Sequence, residues 1–318
     1  MKRIAFALFL LVSPTAIAQT APPSSAPVQD WSNVETITVS APKGPAMWHV
    51  IQGTSEVWIV PTVTPVPADL VWNSDGVEDV IRGANFVYLP AEITANIWQA
   101  SWFMLTSMSK IKQPDDQTLH STLPPDMRQR FEDWLAKSGD SAGDYDDYLA
   151  AVAGLRLESD YLKTVKFDGR NITWRISGLA DLADVKAKPI ASYNALSIAD
   201  EVSGLTADQE LRCMRDALDD LDTMSAHAAE AAHAWSIGDV AGMKAHYSEA
   251  KANSCFDQIK TYTDDRENMI AKTVKAINAA LTKPGRTVFV MNLGIFLRKN
   301  GVMDRLAAQG LKVEGPPG

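Results

Sequence analysis

The chain has 318 residues, 46% of them hydrophobic and 22% charged, the composition of one globular domain or two small ones. A formal charge of -9 with no basic stripe excludes a nucleic-acid surface, which needs clustered Lys and Arg. The acidic clusters Asp144-Tyr-Asp-Asp147 and Asp219-Asp220-Leu-Asp222 read as solvated helix faces, because neither has the oxygen spacing and turn glycine of a calcium loop.

Residues 1–18 read as a signal peptide. Lys2 and Arg3 open it, Ile4 to Val12 form a short apolar run, and Ala16-Ile17-Ala18 is a small-x-small cleavage site. Cleavage after Ala18 predicts a periplasmic or secreted protein. The apolar run is short for a membrane span, and no later stretch reaches that length, so no transmembrane segment is expected after cleavage. Residues 19–43, rich in Pro, Ser, Ala and Thr, read as a flexible tether, and residues 44–318 as a single folded domain.

Within the domain, Trp48 to Pro67 predicts a β-hairpin, with two apolar runs around the polar turn Gln52-Gly53-Thr54-Ser55. Ser74 or Asp75 caps a predicted helix to about Arg82 that turns Val77, Val80 and Ile81 inward. Phe86 to Leu89 predicts a strand stopped by Pro90. Helices follow over Ala91–Ser109, Pro125–Lys137 and Tyr145–Val165, and a strand over Lys188–Tyr193. A long helix opens on a capping box, Thr206 to Gln209, and runs to about Trp235. After a turn at Gly238-Asp239, helices are predicted over Val240–Ile259 and Asp264–Leu281. Thr287–Met291 is a strand, Val302–Gln309 a helix and Leu311–Glu314 a final strand. The pattern is α+β, with a sheet assembled from both ends of the domain and a helical block over about 91–281.

In an exported protein, Cys213 and Cys255 are expected to pair, tying two helices together; the alternative is two buried free thiols. No third soft ligand lies near them for a metal. His49 sits beside Trp48 on the first strand, where alternation turns it to the surface. His120 lies in a polar loop. His227, His233 and His246 fall in the helical block, and the first two lack the i, i+4 spacing that puts two imidazoles on one face. There is no Gly-x-Ser-x-Gly elbow and no Gly-rich phosphate loop.

Several short motifs recur in an order similar to the TraB/GumN family, exported bacterial relatives of Tiki-type metal-dependent hydrolases. They are Pro45-Ala-Met-Trp48 with Val57-Trp-Ile-Val60, Ala234-Trp235-Ser-Ile-Gly238-Asp239, and Asp265-Arg266-Glu-Asn268-Met269. Lys283 to Val290, Gly301 to Leu306 and Gln309 to Val313 close the series. The resemblance implies an α+β fold of the TraB/GumN and EreA/ChaN-like kind, with two equivalent strand–turn units flanking helices. It also implies a metal-dependent hydrolase or peptidase-like site built on two Gly-x-x-His motifs and acidic residues, since imidazole and carboxylate suit a divalent ion.

This sequence departs from the pattern at each of those positions. The first motif falls on Pro61-Thr62-Val63-Thr64, the acidic strand end on Pro90, a further Glu on Asn194, and the second motif on Asn292-Leu293-Gly294-Ile295. No His lies between residues 50 and 119, and none after 246, so a shifted alignment restores nothing. Glu92, the nearest carboxylate to Pro90, reads as a solvated residue of a first helical turn. The expectation is therefore a non-catalytic member with no metal or cofactor, which binds an envelope protein or a small ligand. Its degenerate pocket would be lined by Thr64, Asn194, Arg266 and Asn292. For Arg266 a structural salt bridge under the sheet is the equal alternative. The competing reading is a hydrolase or peptidase that uses other ligands. One geometric condition follows: Thr64, Pro90 and Ile295 should converge.

Overall fold

The computed structural model describes residues 44–94, 108–247 and 255–316. The expected signal peptide, the expected tether and most of the helix expected over Ala91–Ser109 lie outside those residues. Strand β1 (Trp48–Gln52) turns at Gly53 into β2 (Ser55–Thr62), which leads to the short β3 (Val66–Pro67). Helix α1 (Asp75–Arg82) buries Val77, Val80 and Ile81, as its periodicity predicts, and β4 (Ala84–Leu89) follows. Glu92 then lies in a strand, β5 (Glu92–Thr94), and not in a first helical turn. Its carboxylate accepts a hydrogen bond from the hydroxyl of Ser192.

The helical part contains α2 (Leu119–Thr122), α3 (Pro125–Ser138) and α4 (Ala150–Thr164). Helix α4 starts five residues later than the sequence suggests. Tyr145 is fully buried, packed edge-on against Phe131, and its hydroxyl donates to Asp140 and Asp160. Those long-range contacts hold the segment in a non-helical turn. After β6 (Phe167–Asp168) comes α5 (Asn171–Leu182), a helix absent from the sequence reading. The strand expected over Lys188–Tyr193 is two strands in different sheets, β7 (Ala187–Pro189) and β8 (Ser192–Asn194), followed by α6 (Ala195–Val202).

Helix α7 (Ala207–Ile237) opens on the Thr206–Gln209 capping box and ends at Gly238, whose φ of 74° is the left-handed cap that glycine adopts without strain. The returning helix is shorter than expected: α8 (Val240–His246) stops at Tyr247, whose backbone is extended. Then come α9 (Lys260–Leu281), β9 (Gly285–Asn292), α10 (Leu293–Leu297) and α11 (Val302–Ala308). The strand expected at the end reduces to a single bridge between Glu314 and His49. His49 is half-buried, with its ring stacked on Trp58 at 4.8 Å.

The main sheet has the order β1-β2-β9-β4-β7. The β1–β2 hairpin is antiparallel and every other pair is parallel, an α+β arrangement with helices packed on a mixed sheet. Strand β9 is central and buried from Thr287 to Met291, so it reads as an unbroken apolar run and shows no alternation. Proline at position 61 is tolerated for a local reason. The β1 ladder ends at Trp48 opposite Ile59, so nothing on that side requires the missing N–H.

Helix α7 spans two cores. Its Met214, Leu218 and Leu221 join Phe131, Trp134 and Leu157 among the helices, whereas its Ala232 and Trp235 join the core under the sheet. At the α4–α7 crossing, a Cβ on Gly154 would stand 2.8 Å from that of Ala217, so the close approach requires glycine. Cys213 and Cys255 form a disulfide with Cα atoms 4.8 Å apart, which ties α7 to the segment entering α9. Among the described residues, no helix is long and apolar enough to cross a membrane.

Candidate functional site

The parallel pairing of β2 with β9 places Thr62 opposite Asn292, so the two strands end side by side. Each then turns away differently. After β2 the chain passes through Thr64 and Pro65 to β3. After β9, the Asn292 side chain accepts from the Gly294 N–H at 2.8 Å and so caps α10. The same Asn292 oxygen accepts a 2.8 Å bond from the Tyr247 hydroxyl, and its amide nitrogen donates to Thr64 Oγ1 at 3.3 Å. The Tyr247 contact gives α8 its early end. Beneath the β2 end, the fully buried Trp235 donates its indole N–H to the Pro61 carbonyl at 2.7 Å and packs edge-on against Trp72.

These strand ends form one wall of a cavity of about 400 Å3. Thr64, Pro90, Asn292 and Ile295 all line it, from three separate stretches of chain, and Arg266 lines it from α9. Convergence of Thr64, Pro90 and Ile295 is thus met. Asn194 is not in the lining; its side chain is exposed and accepts from the Leu196 N–H at the start of α6. Its neighbour Tyr193 is the residue that faces the cavity. Arg266 borders the cavity, and its guanidinium donates to Asp257 and lies 5.5 Å from the centre of the Tyr262 ring.

The opposite wall is helical. Asp220, Thr223 and Met224 of α7 face Asp265, Arg266 and Met269 of α9 across the opening. Asp220 corrects the sequence reading, because it is only 3% exposed and does not belong to a solvated face. Its neighbours Asp219 and Asp222 are held by Arg130. On α4, Glu158 has a buried oxygen with no hydrogen-bond partner among the described residues. Desolvation, reinforced by the charge of Asp220, raises its pKa to about 8. Desolvation also raises the Asp265 carboxyl above its ordinary range, partly offset by Lys272 and reinforced by Asp264. Burial, with the nearby Asp265 charge, raises the Tyr193 phenol.

Asp220, Asp265 and the tyrosines Tyr88, Tyr193, Tyr247 and Tyr262 were not singled out as site residues from the sequence. For Asp265 there was a signal, since it directly precedes Arg266 in a family-like segment. For the tyrosines there was none, because they come from two strands, a loop and a helix far apart in the chain.

Over residues 46–315 the sequence matches the TraB/PrgY/gumN family. The chain belongs to that family. No curated protein and no solved structure matches it. A divalent ion at the positions aligned with the TraB/GumN motifs would face the side chains of Thr64, Pro90 and Ile295. Those offer a single neutral hydroxyl, already the acceptor of the Asn292 amide. They do not fit the ion that the resemblance implies. Among the described residues, no group of three His, Cys, Asp or Glu side chains could hold a metal.

Proposed function

We propose that this chain is an exported TraB/PrgY/gumN-family protein that works by binding, with the family's fold kept and its metal chemistry given up. The observation that carries this reading is the convergence of Thr64, Pro90 and Ile295 on one cavity, with Asn292 hydrogen-bonded to Thr64 across the two strand ends. The strand ends meet as the resemblance requires, yet what joins them is a neutral hydrogen bond. A cavity of about 400 Å3 is of a size that takes a small molecule. Export is supported by the signal-like start of the sequence and agrees with the Cys213–Cys255 disulfide.

Elemental analysis and peptide and ester hydrolysis assays on the purified protein test the reading together. It predicts no stoichiometric transition metal and no hydrolysis sensitive to chelation. A bound metal whose removal abolishes turnover would establish a hydrolase with unfamiliar ligands and end the binding-protein reading.

A further inference from the structure

The cavity's polar groups restrict what can enter it. Among the described residues, three charged side chains line it: Asp220, Asp265 and Arg266. The positive one is already engaged, because Asp257 holds the Arg266 guanidinium. Asp220 is buried. Asp265 is half-buried and has no hydrogen bond or ion pair among the described residues. Lys272, exposed on α9, makes no ion pair with it, and its ammonium lies 5.5 Å from the centre of the Tyr193 ring instead. The Tyr193 hydroxyl is buried, likewise with no hydrogen-bond partner among the described residues. Polar groups left unpaired in a folded protein call for an explanation, and a missing ligand is one.

Apart from the neutral Thr64, Thr223, Thr273 and Asn292, the rest of the described lining is aromatic and apolar, with the Tyr88 and Phe289 rings stacked at 4.7 Å. Aromatic faces attract cations through their quadrupole, and a carboxylate in a partly dry site strengthens that preference. An anion would instead meet the Asp265 carboxylate, and the guanidinium in the described lining is already held by Asp257. A divalent metal would lack a third charged donor. We propose that the cavity selects a small organic cation, a protonated amine on an apolar body, with Asp265 as its charge partner and Phe289 with the apolar lining as the surface that receives it. This rests on reading the cavity as a small-ligand site.

The test titrates the full chain by calorimetry with three probes of one shape: 2-phenylethylammonium, 2-phenylethanol and 3-phenylpropanoate. They carry a positive, a neutral and a negative head group. The ammonium should bind more tightly than the alcohol by about ten- to a hundredfold, the range of a charge-assisted hydrogen bond. Asp265→Asn should abolish that preference while the alcohol binds as before, which shows that the cavity is intact. If the alcohol or the carboxylate binds as well as the ammonium, the cation proposal fails and the small-ligand reading stands. Failure of all three at millimolar concentration overturns both. A cation preference that survives Asp265→Asn overturns the role given to Asp265.

Discussion

The two walls of the cavity have been treated differently. On the sheet wall, where the family resemblance expects ligands, Thr64, Pro90, Asn292 and Ile295 are uncharged, and the polar ones are tied to each other and to Tyr247. On the helical wall, Asp220, Asp265 and Arg266 bring charge into a partly dry space. The sheet wall is built for stability, since each of its polar atoms answers a neighbour. The helical wall holds Asp265, the charge partner in the cation proposal. Substitutions should therefore separate: those on the sheet side should change stability alone, whereas charge-dependent behaviour should respond only on the helical side.

The most severe break of the sheet wall is Trp235→Ala, which empties a fully buried site and leaves the Pro61 carbonyl without its donor. It should cost about 3–5 kcal/mol, read as a shift of the denaturant midpoint. On the helical side, Cys213→Ser with Cys255→Ser opens a loop spanning a sequence separation of 42. Loop-closure entropy sets the expected loss at roughly 2–4 kcal/mol under non-reducing conditions, measured the same way.

Glu158→Gln sharpens the comparison through pH. The Glu158 carboxyl titrates at about 8 in the folded protein against an ordinary value of 4.5. Between those values the folded state keeps a proton that the unfolded chain has released, so stability falls as pH rises through that window. Below it both states are protonated, and above it the loss is complete. Glutamine removes the titration, so the variant's unfolding free energy should decline less from pH 5 to 8. An unchanged slope would show that Glu158 is not the group responsible. The smallest effect is expected from Thr64→Val, which deletes the Asn292 contact at nearly constant shape. A loss of about 0.5–1.5 kcal/mol, with no change in the ammonium-over-alcohol ratio, would keep the two walls distinct.

Much of the fold was legible because its signals are local. The hairpin, the Thr206 capping box, the Gly238 turn and the apolar stripe of α1 each depend on residues a few positions apart. The failures share a cause. Tyr145 and Tyr247 end or delay helices through partners that lie elsewhere in the chain, Asp160 and Asn292, and periodicity does not register such contacts. Lys188–Tyr193 looked like one strand, but its two halves pair with different neighbours, Pro189 with Leu89 and Tyr193 with Ile93. The sheet side of the site could be found because motif positions mark it even where their chemistry has changed. The helical side could not. Asp220 sits among acidic neighbours that do face outward, and only packing separates it from them.

The place of β9 bears on how the domain is made. This strand lies between β2 and β4, and pairs Ser55 with Gly285 near one end and Thr62 with Asn292 at the other. A chain synthesised from its N-terminus therefore has both neighbours of the central strand long before the strand itself. The helices can assemble early on local contacts, whereas the sheet closes only after nearly the whole domain has been made. Such non-local pairing is slow, and until it is complete β2 and β4 present unpaired edges that can join other chains. A product truncated before Gly285 should thus be aggregation-prone instead of partly functional, with the hairpin and β4 exposed as open edges.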